Sequence, residues 1–392
     1  MRPLLALTAA CTVGIGAALT AAPAAAGPPV MMPAAIPDDF YSAPTNLAEY
    51  APGDVLKVRG MPVPAGFLPM IEVRQIQYVS TDSLGQATPA VATIFSPPWR
   101  ADNAPLMVFG HTVNALGLNC APSRALWNLD PNLAIARALN VPLGMGMTVI
   151  VPDHLGPRSA YGAARLGGQI TLDAIRAAQR HQALMVSSSP VSMVGYSGGG
   201  MAVAWAAVLA SSYAPELPIV SAAIGGVPTN LQEIAWNLGM NAHPAFGLAM
   251  AAALGLEREY GDRLPITSRM TAEGLQLAVQ MQNACTDQIL ALGAGRSVGS
   301  LATDLSLWDS PQTEAVLRAN SLEFELEVPR VPIYAWHGAD DPLIARDALA
   351  RTLARWSGAG VPVTDVTVPG DHIAAAALGL PGAIQFLLAN RS

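Results

Sequence analysis

The sequence predicts an α/β fold: a mostly parallel central sheet flanked by helices, with a helical cap inserted into it. Three observations point there. From Ala104 onward, short apolar runs alternate with helix-length segments, the pattern of strands buried on both faces. One of these runs, Val191-Ser192-Met193-Val194, enters the turn Gly195-Tyr196-Ser197-Gly198-Gly199 and leaves it as a helix. Between Val227 and Pro332 lies a long stretch in which no segment reads as a strong strand.

The chain opens on Met1-Arg2, then an Ala-, Leu- and Thr-rich run to about Ala22, then Pro23-Ala24-Ala25-Ala26. A positive start, an apolar middle and an A-x-A site form a secretory signal peptide, placed at residues 1–26. The segment is poor in Leu and Ile compared with an uncleaved anchor. A lipoprotein reading through Cys11 lacks the usual leading aliphatic residue. Residues 27–50 are Pro- and Ala-rich and read as an extended arm. Strand-like runs follow at Val55–Arg59, Ile71–Ser80 and Thr88–Phe95, the last two joined by the hairpin signal Thr81–Gln86. Then come a strand to Gly110, a helix over Ala125–Leu139, a strand over Met147–Val151 and a helix over Gln169–Leu184. After the glycine-rich turn, strands are expected at Ile219–Val227, Pro332–Trp336 and Val361–Val368, and a closing helix at Ile373–Asn390. Leu231–Leu238, Pro244–Leu256 and Glu273–Ala291 read as cap helices. The expected division is a core over 51–227 and 306–392 and a cap over 228–305. No segment after the signal reads as a membrane span.

The chain has 392 residues, 52% hydrophobic and 12% charged, with a net charge of −7. That suffices for a large core and offers no basic surface for nucleic acid. Lys57 is the only lysine.

The G-x-S-x-G turn is the nucleophile elbow of the α/β-hydrolases. Small flanking residues let strand and helix approach closely, and the hydroxyl of Ser197 stands at a helix N-terminus, where the dipole favours negative charge. A serine hydroxyl needs a general base, and the base needs an orienting carboxylate. On this fold the order is Ser, then Asp or Glu, then His. The spacing of Gly338-Ala339-Asp340-Asp341 after a strand favours Asp341 as the acid; Asp340 is the alternative, or else a helix cap. Of the six histidines, only His372 lies beyond Asp341, and it follows the last strand. His337 reads as a structural neighbour, and His111 and His154, at strand ends, as possible walls of the cleft. An oxyanion hole needs two N–H groups: one from Gly198, the other from the loop His111-Thr112-Val113-Asn114-Ala115, where Thr112 is the residue chosen. This chemistry requires no cofactor, and the aspartates form no metal-ligand spacing. Once the signal has removed Cys11, Cys120 and Cys285 remain: one disulfide in an oxidising compartment, or two buried thiols.

Five stretches then carry a resemblance. They are Gly110-His111-Thr112, Asn119-Cys120-Ala121-Pro122-Ser123, Pro152-Asp153-His154-Leu155-Gly156-Pro157, Thr171–Ala177 and the elbow itself. From about residue 38 to its end, the chain resembles the secretory lipases of the lipase A type. The resemblance implies secretion, a helical cap and hydrolysis of carboxylic esters, including triacylglycerols. It supports Ser197, Asp341 and His372 as the triad and a Cys120–Cys285 bridge. The chain departs from the family at Thr112-Val113-Asn114, where a Gly or an acidic residue is common, and at His154-Leu155, where an aromatic and an acid are common. The expected partner is a lipid or ester substrate, met at a lipid–water interface. The rival readings are an acyltransferase with the same triad, a serine peptidase, and a non-catalytic surface protein.

Overall fold

The computed structural model describes residues 30–128 and 136–391, so the expected signal peptide lies outside the described residues. The strands are β1 (Val55–Met61), β2 (Glu72–Thr81), β3 (Ala87–Ser96), β4 (Leu106–Gly110), β5 (Thr148–Pro152), β6 (Val191–Tyr196), β7 (Ile219–Gly225), β8 (Ile333–Gly338) and β9 (Val363–Val368). They form one sheet in the order β1-β2-β3-β5-β4-β6-β7-β8-β9. The pairings from β1 to β5 are antiparallel, and those from β5 to β9 are parallel. The hairpin turn between β2 and β3 is closed by Asp82, whose carboxylate accepts the N–H groups of Leu84 and Gln86. Strands β4, β5, β6 and β8 are buried along their whole length. β9 is half-exposed, as an edge strand should be.

The helices are α1 (Pro122–Ala125), α2 (Asn140–Gly144), α3 (Ala164–Arg180), α4 (Ser197–Tyr213), α5 (Leu231–Gly239), α6 (Phe246–Tyr260), α7 (Ala272–Met281), α8 (Thr286–Gly293), α9 (Val298–Leu301), α10 (Pro311–Ala319), α11 (Arg346–Gly358) and α12 (His372–Ala389). One apolar core joins α3, α4 and α11 to one face of the sheet. A second joins α12 and residues around Leu139 and Leu143 to the other. A third lies within the helices between β7 and β8, around Phe246, Leu277 and Met281.

Several elements differ from the sequence expectation, each for a physical reason. α3 starts at Ala164, ahead of the expected Gln169, because Gly167 and Gly168 belong inside it. A Cβ on Gly168 would lie 2.7 Å from the Cβ of Trp205, so glycine is what lets α3 lie against α4. The expected helix over Ala125–Leu139 is not continuous. Ala125 ends α1, residues 126–128 form a turn, and 136–139 are 3₁₀; the middle of that range lies outside the described residues. Pro131 within it makes a single helix costly. The expected cap helix over Glu273–Ala291 is two helices, α7 and α8, with Cys285 as N-cap of the second. Nor do the cap helices stop at 305: α10 follows and packs against α5 before the chain returns as β8. Finally, α12 is long and apolar enough to cross a membrane, with a mean hydropathy of 1.6, contrary to the expectation that no such segment follows the signal. Its Ala and Leu face packs on the sheet, with Ala375, Ala383 and Leu387 buried.

Candidate active site

The glycine-rich turn is built as its composition requires. Ser197, the first residue of α4, has φ of +52°, a strained angle for a residue with a side chain. Its neighbours accept the crowding only because they lack one. A Cβ on Gly195 would lie 2.4 Å from the carbonyl oxygen of Gly199, and one on Gly199 would lie 2.0 Å from that of Gly110. The hydroxyl of Ser197 is thereby presented at the C-terminal edge of the sheet, where ligands meet open α/β sheets.

His372 begins α12. The carboxylate of Asp371 caps that helix, accepting the N–H groups of Ile373 at 3.1 Å and Ala374 at 2.9 Å. The carbonyl of His372 accepts the hydroxyl of Tyr196 at 2.5 Å, and Tyr196 also packs against the ring, centroid to centroid 5.0 Å. Gly226 leaves room beside both rings: a Cβ there would come within 2.7 Å of Cζ of Tyr196 and 3.0 Å of Cε1 of His372. So held, the imidazole lies 2.6 Å from Asp341 through Nδ1 and 2.9 Å from the Oγ of Ser197 through Nε2. Nδ1–H donates to the carboxylate, which leaves Nε2 to accept from the serine hydroxyl.

Asp341 has a second set of partners. Its other oxygen accepts the N–H groups of Leu343 at 2.9 Å and Ile344 at 3.0 Å. Burial pushes its carboxyl pKa up, but the bonds from His372 and these two amides outweigh it, and the net direction is down. Asp340 is exposed and stands outside this arrangement. It is not the helix cap either: the N-cap of α11 is Ala345, with no side-chain cap.

The loop after β4 faces Gly198. The hydroxyl of Thr112 donates to the carbonyl of Tyr196 at 3.0 Å. Asn114 comes closer to the elbow: its Oδ1 would lie 2.7 Å from a Cβ on Gly198. Asn114 is 8% exposed, and that oxygen has no partner among the described residues. The expectation named Thr112; spacing could not reveal how the loop turns Asn114 toward the elbow. Neither His111 nor His154 lines the cavity beside Ser197. His154 is buried, and burial, with His111 nearby, pushes its pKa down to about 4. His337 is buried, bonds Thr367 at 3.0 Å and does not line the cavity beside Ser197. Asp153 is buried on Ser123, accepting its N–H at 2.8 Å and its hydroxyl at 2.5 Å; burial pushes its pKa up to about 7.

The cavity beside Ser197 has a volume of about 390 Å³ and runs into the helices between β7 and β8. Its walls are apolar, with Met250, Leu256, Met270, Leu290 and Leu301 among them. Among the apolar residues of the cap, Met250 and Met270 line it. Leu254 is instead buried in the cap's own core, and Met240 does not reach the cavity. Cys120 and Cys285 are joined in a disulfide, Cα to Cα 5.6 Å, which ties the loop after β4 to the N-terminus of α8.

Comparison with known proteins agrees with this geometry. The family model described as secretory lipase matches residues 133–391. The lipase A of Moesziomyces aphidis is 31% identical, over 99% of this chain and 86% of its own length. A secreted triacylglycerol lipase, LIP7, of Malassezia globosa is 30% identical, over 89% of this chain and 78% of its own. The X-ray structure of Candida antarctica lipase A in its closed state superposes with a TM-score of 0.85 at 28% identity, over 93% of this chain and 86% of that one. A rice cell wall degrading esterase from Xanthomonas oryzae, at 17% identity and a TM-score of 0.68, shares the fold. The nine-stranded sheet, the elbow and these likenesses converge: the chain is an α/β-hydrolase ester hydrolase and belongs to the secretory lipase family.

Proposed function

We propose that this chain hydrolyses lipid-like carboxylic esters, triacylglycerols among them, outside the cell and through an acyl-enzyme on Ser197. The observation that carries the reading is one imidazole bonded on one side to a carboxylate and on the other to the elbow serine. In this scheme Oγ attacks the ester carbonyl while Nε2 of His372 takes its proton. Asp341 holds the ring and stabilises the imidazolium. The carbonyl oxygen, now negative, is held by the N–H of Gly198 and by an N–H of the loop after β4. Thr112 is the residue that spacing suggests for that second N–H. His372 returns the proton to the leaving alcohol. Water, activated by the same imidazole, then releases the acid.

The apolar cavity supports a fatty acyl chain as the part of the substrate it receives, and its volume of about 390 Å³ is in the range of small-molecule sites. Its rim is also apolar. Ile373, beside the catalytic histidine, is 80% exposed, and Trp236, which packs against the rim residue Trp308, is 55% exposed. Such a rim suits a lipid–water interface. Export is supported by the family's description, by the name of the Malassezia globosa relative and by the disulfide.

The test is covalent. A serine-directed alkyl phosphonate should label Ser197 alone, and Ser197→Ala should stay folded while losing about three to six orders of magnitude of esterase turnover. Labelling at another serine, or turnover near wild type in Ser197→Ala, would sink the mechanism.

A further inference from the structure

We propose that Arg258 is a positioning residue for the oxyanion hole, acting through the carbonyl of Leu116; this rests on reading Ser197 as the nucleophile and the loop after β4 as the wall of that hole. Arg258 stands on α6 and is 2% exposed. All of its hydrogen bonds end on main-chain oxygens. Nε donates to Met31 at 2.8 Å, Nη2 to Gln282 at 2.8 Å, and Nη1 to Leu116 at 2.7 Å, Arg158 at 3.0 Å and Ser159 at 3.2 Å. One cation therefore gathers the N-terminal arm, the loop after β4, the loop after β5 and the end of α7.

Burying a guanidinium is costly, and here the cost is met by five main-chain oxygens that would each lose this donor if the side chain were apolar. Burial pushes its pKa down to about 10, so it stays charged at neutral pH. What the cation supplies is geometry. β4 ends at Gly110, so beyond that point no ladder of the sheet fixes the loop. Its three consecutive carbonyls are instead each held by a different side chain. Thr286 donates its hydroxyl to Asn114 at 3.3 Å, Ser159 to Ala115 at 3.1 Å, and Arg258 its Nη1 to Leu116 at 2.7 Å. Fixing those carbonyls fixes the three peptide planes that follow Asn114, two of whose N–H groups, those of Leu116 and Gly117, also donate to the carbonyl of Ala284, and so anchors the end of the segment that carries the N–H groups of Thr112 to Asn114. N–H groups that meet a developing oxyanion act best when they are oriented before the charge appears. Arg258 makes the shortest of the three bonds and is the only one of the three that also reaches the arm.

The experiment compares Arg258→Lys and Arg258→Met with wild type on p-nitrophenyl acetate and decanoate, and with an alkylboronic acid that forms a tetrahedral adduct on the serine. The lysine variant should lose about tenfold or more in kcat on both esters, with KM within about twofold, and its boronate affinity should fall by a matching factor. The methionine variant should lose more. The acidic limb of the pH–rate profile should stay where it is, because the His372–Asp341 pair is untouched. Folded variants with wild-type kcat and wild-type boronate affinity would overturn the proposal, whatever their melting temperature. Should neither variant fold, Ser159→Ala decides: it frees one carbonyl of the same loop without removing a charge. It should show the same split between kcat and KM at smaller size, and wild-type kcat with wild-type boronate affinity there would overturn the proposal too. A wild-type enzyme that no boronate inhibits would instead undo the reading of Ser197.

Discussion

At the scale of single residues, the two adjacent aspartates show how much a shift of one position decides. Asp341 receives the Nδ1–H of His372 and two backbone N–H groups, and Asp340 projects into solvent. Asp341→Asn should therefore cut kcat by about four orders of magnitude, because an amide favours the wrong tautomer of the imidazole. Asp340→Asn should change both turnover and stability little, within about 0.5 kcal/mol, since the capping role considered for it has no counterpart in the structure. Steady-state kinetics and thermal melts of the two variants give the answer directly. The serine and the histidine were legible in the sequence because topology orders them and the chain offers one histidine after the acid. The second N–H of an oxyanion hole is not legible in the same way, because which N–H a loop aims inward depends on φ and ψ values that no spacing encodes; so too the placement of Asn114, a buried amide whose oxygen stands beside Gly198 without a partner among the described residues, is visible only in three dimensions.

At the scale of elements, the helices between β7 and β8 divide by what they touch. α6 and α8 hold the loop after β4, through Arg258, through Thr286 and through the disulfide. α5, α10 and residues 302–308 line the cavity, α5 packing on both α6 and α10 and meeting Trp308 through Trp236. Because Ser197, Asp341 and His372 all lie outside this insertion, shortening it looks from the sequence as if it would spare the chemical step. The bonds to Asn114 and Leu116 indicate the opposite for its α6–α8 part. Chain-length selection belongs in the cavity wall, and a substitution there separates it from chemistry. Ala253 lines the cavity and is half-buried. Ala253→Phe should lower kcat/KM for decanoate esters by about tenfold or more and leave acetate nearly unchanged. Equal losses at both lengths would argue against an acyl tunnel at that wall. Strands were the most legible elements, because each buried run is bounded by glycine, proline or a turn. Helix ends were the least: Gly167 and Gly168 look like a break in the sequence and are a close packing of two helices in the fold.

For the whole molecule, the disulfide has the longest reach. It spans 165 residues of sequence, and in the chain-entropy model a closure of that size is worth on the order of 5 kcal/mol. Reduction should lower the melting temperature and also lower turnover at temperatures where the protein is still folded, because the loop facing Gly198 loses its tether to α8. Melts and activity with and without reductant separate the two effects; unchanged activity in the reduced, folded protein would limit the bond to stability. The bond also draws a boundary through the chain. Inside the covalent ring lie β5, β6 and β7, with Ser197 and most of the cap; outside it lie β4, β8 and β9, with Asp341 and His372. A peptide cut within the ring, for example after the exposed Arg263, leaves two fragments that remain one molecule until a thiol is added. A cut beyond Cys285, on the way to β8, releases the piece that carries the acid and the base, with only packing to retain it. Secreted into a medium containing proteases, the enzyme would thus tolerate damage unevenly, forgiving it in the first part of the cap and failing for the same damage a few dozen residues later.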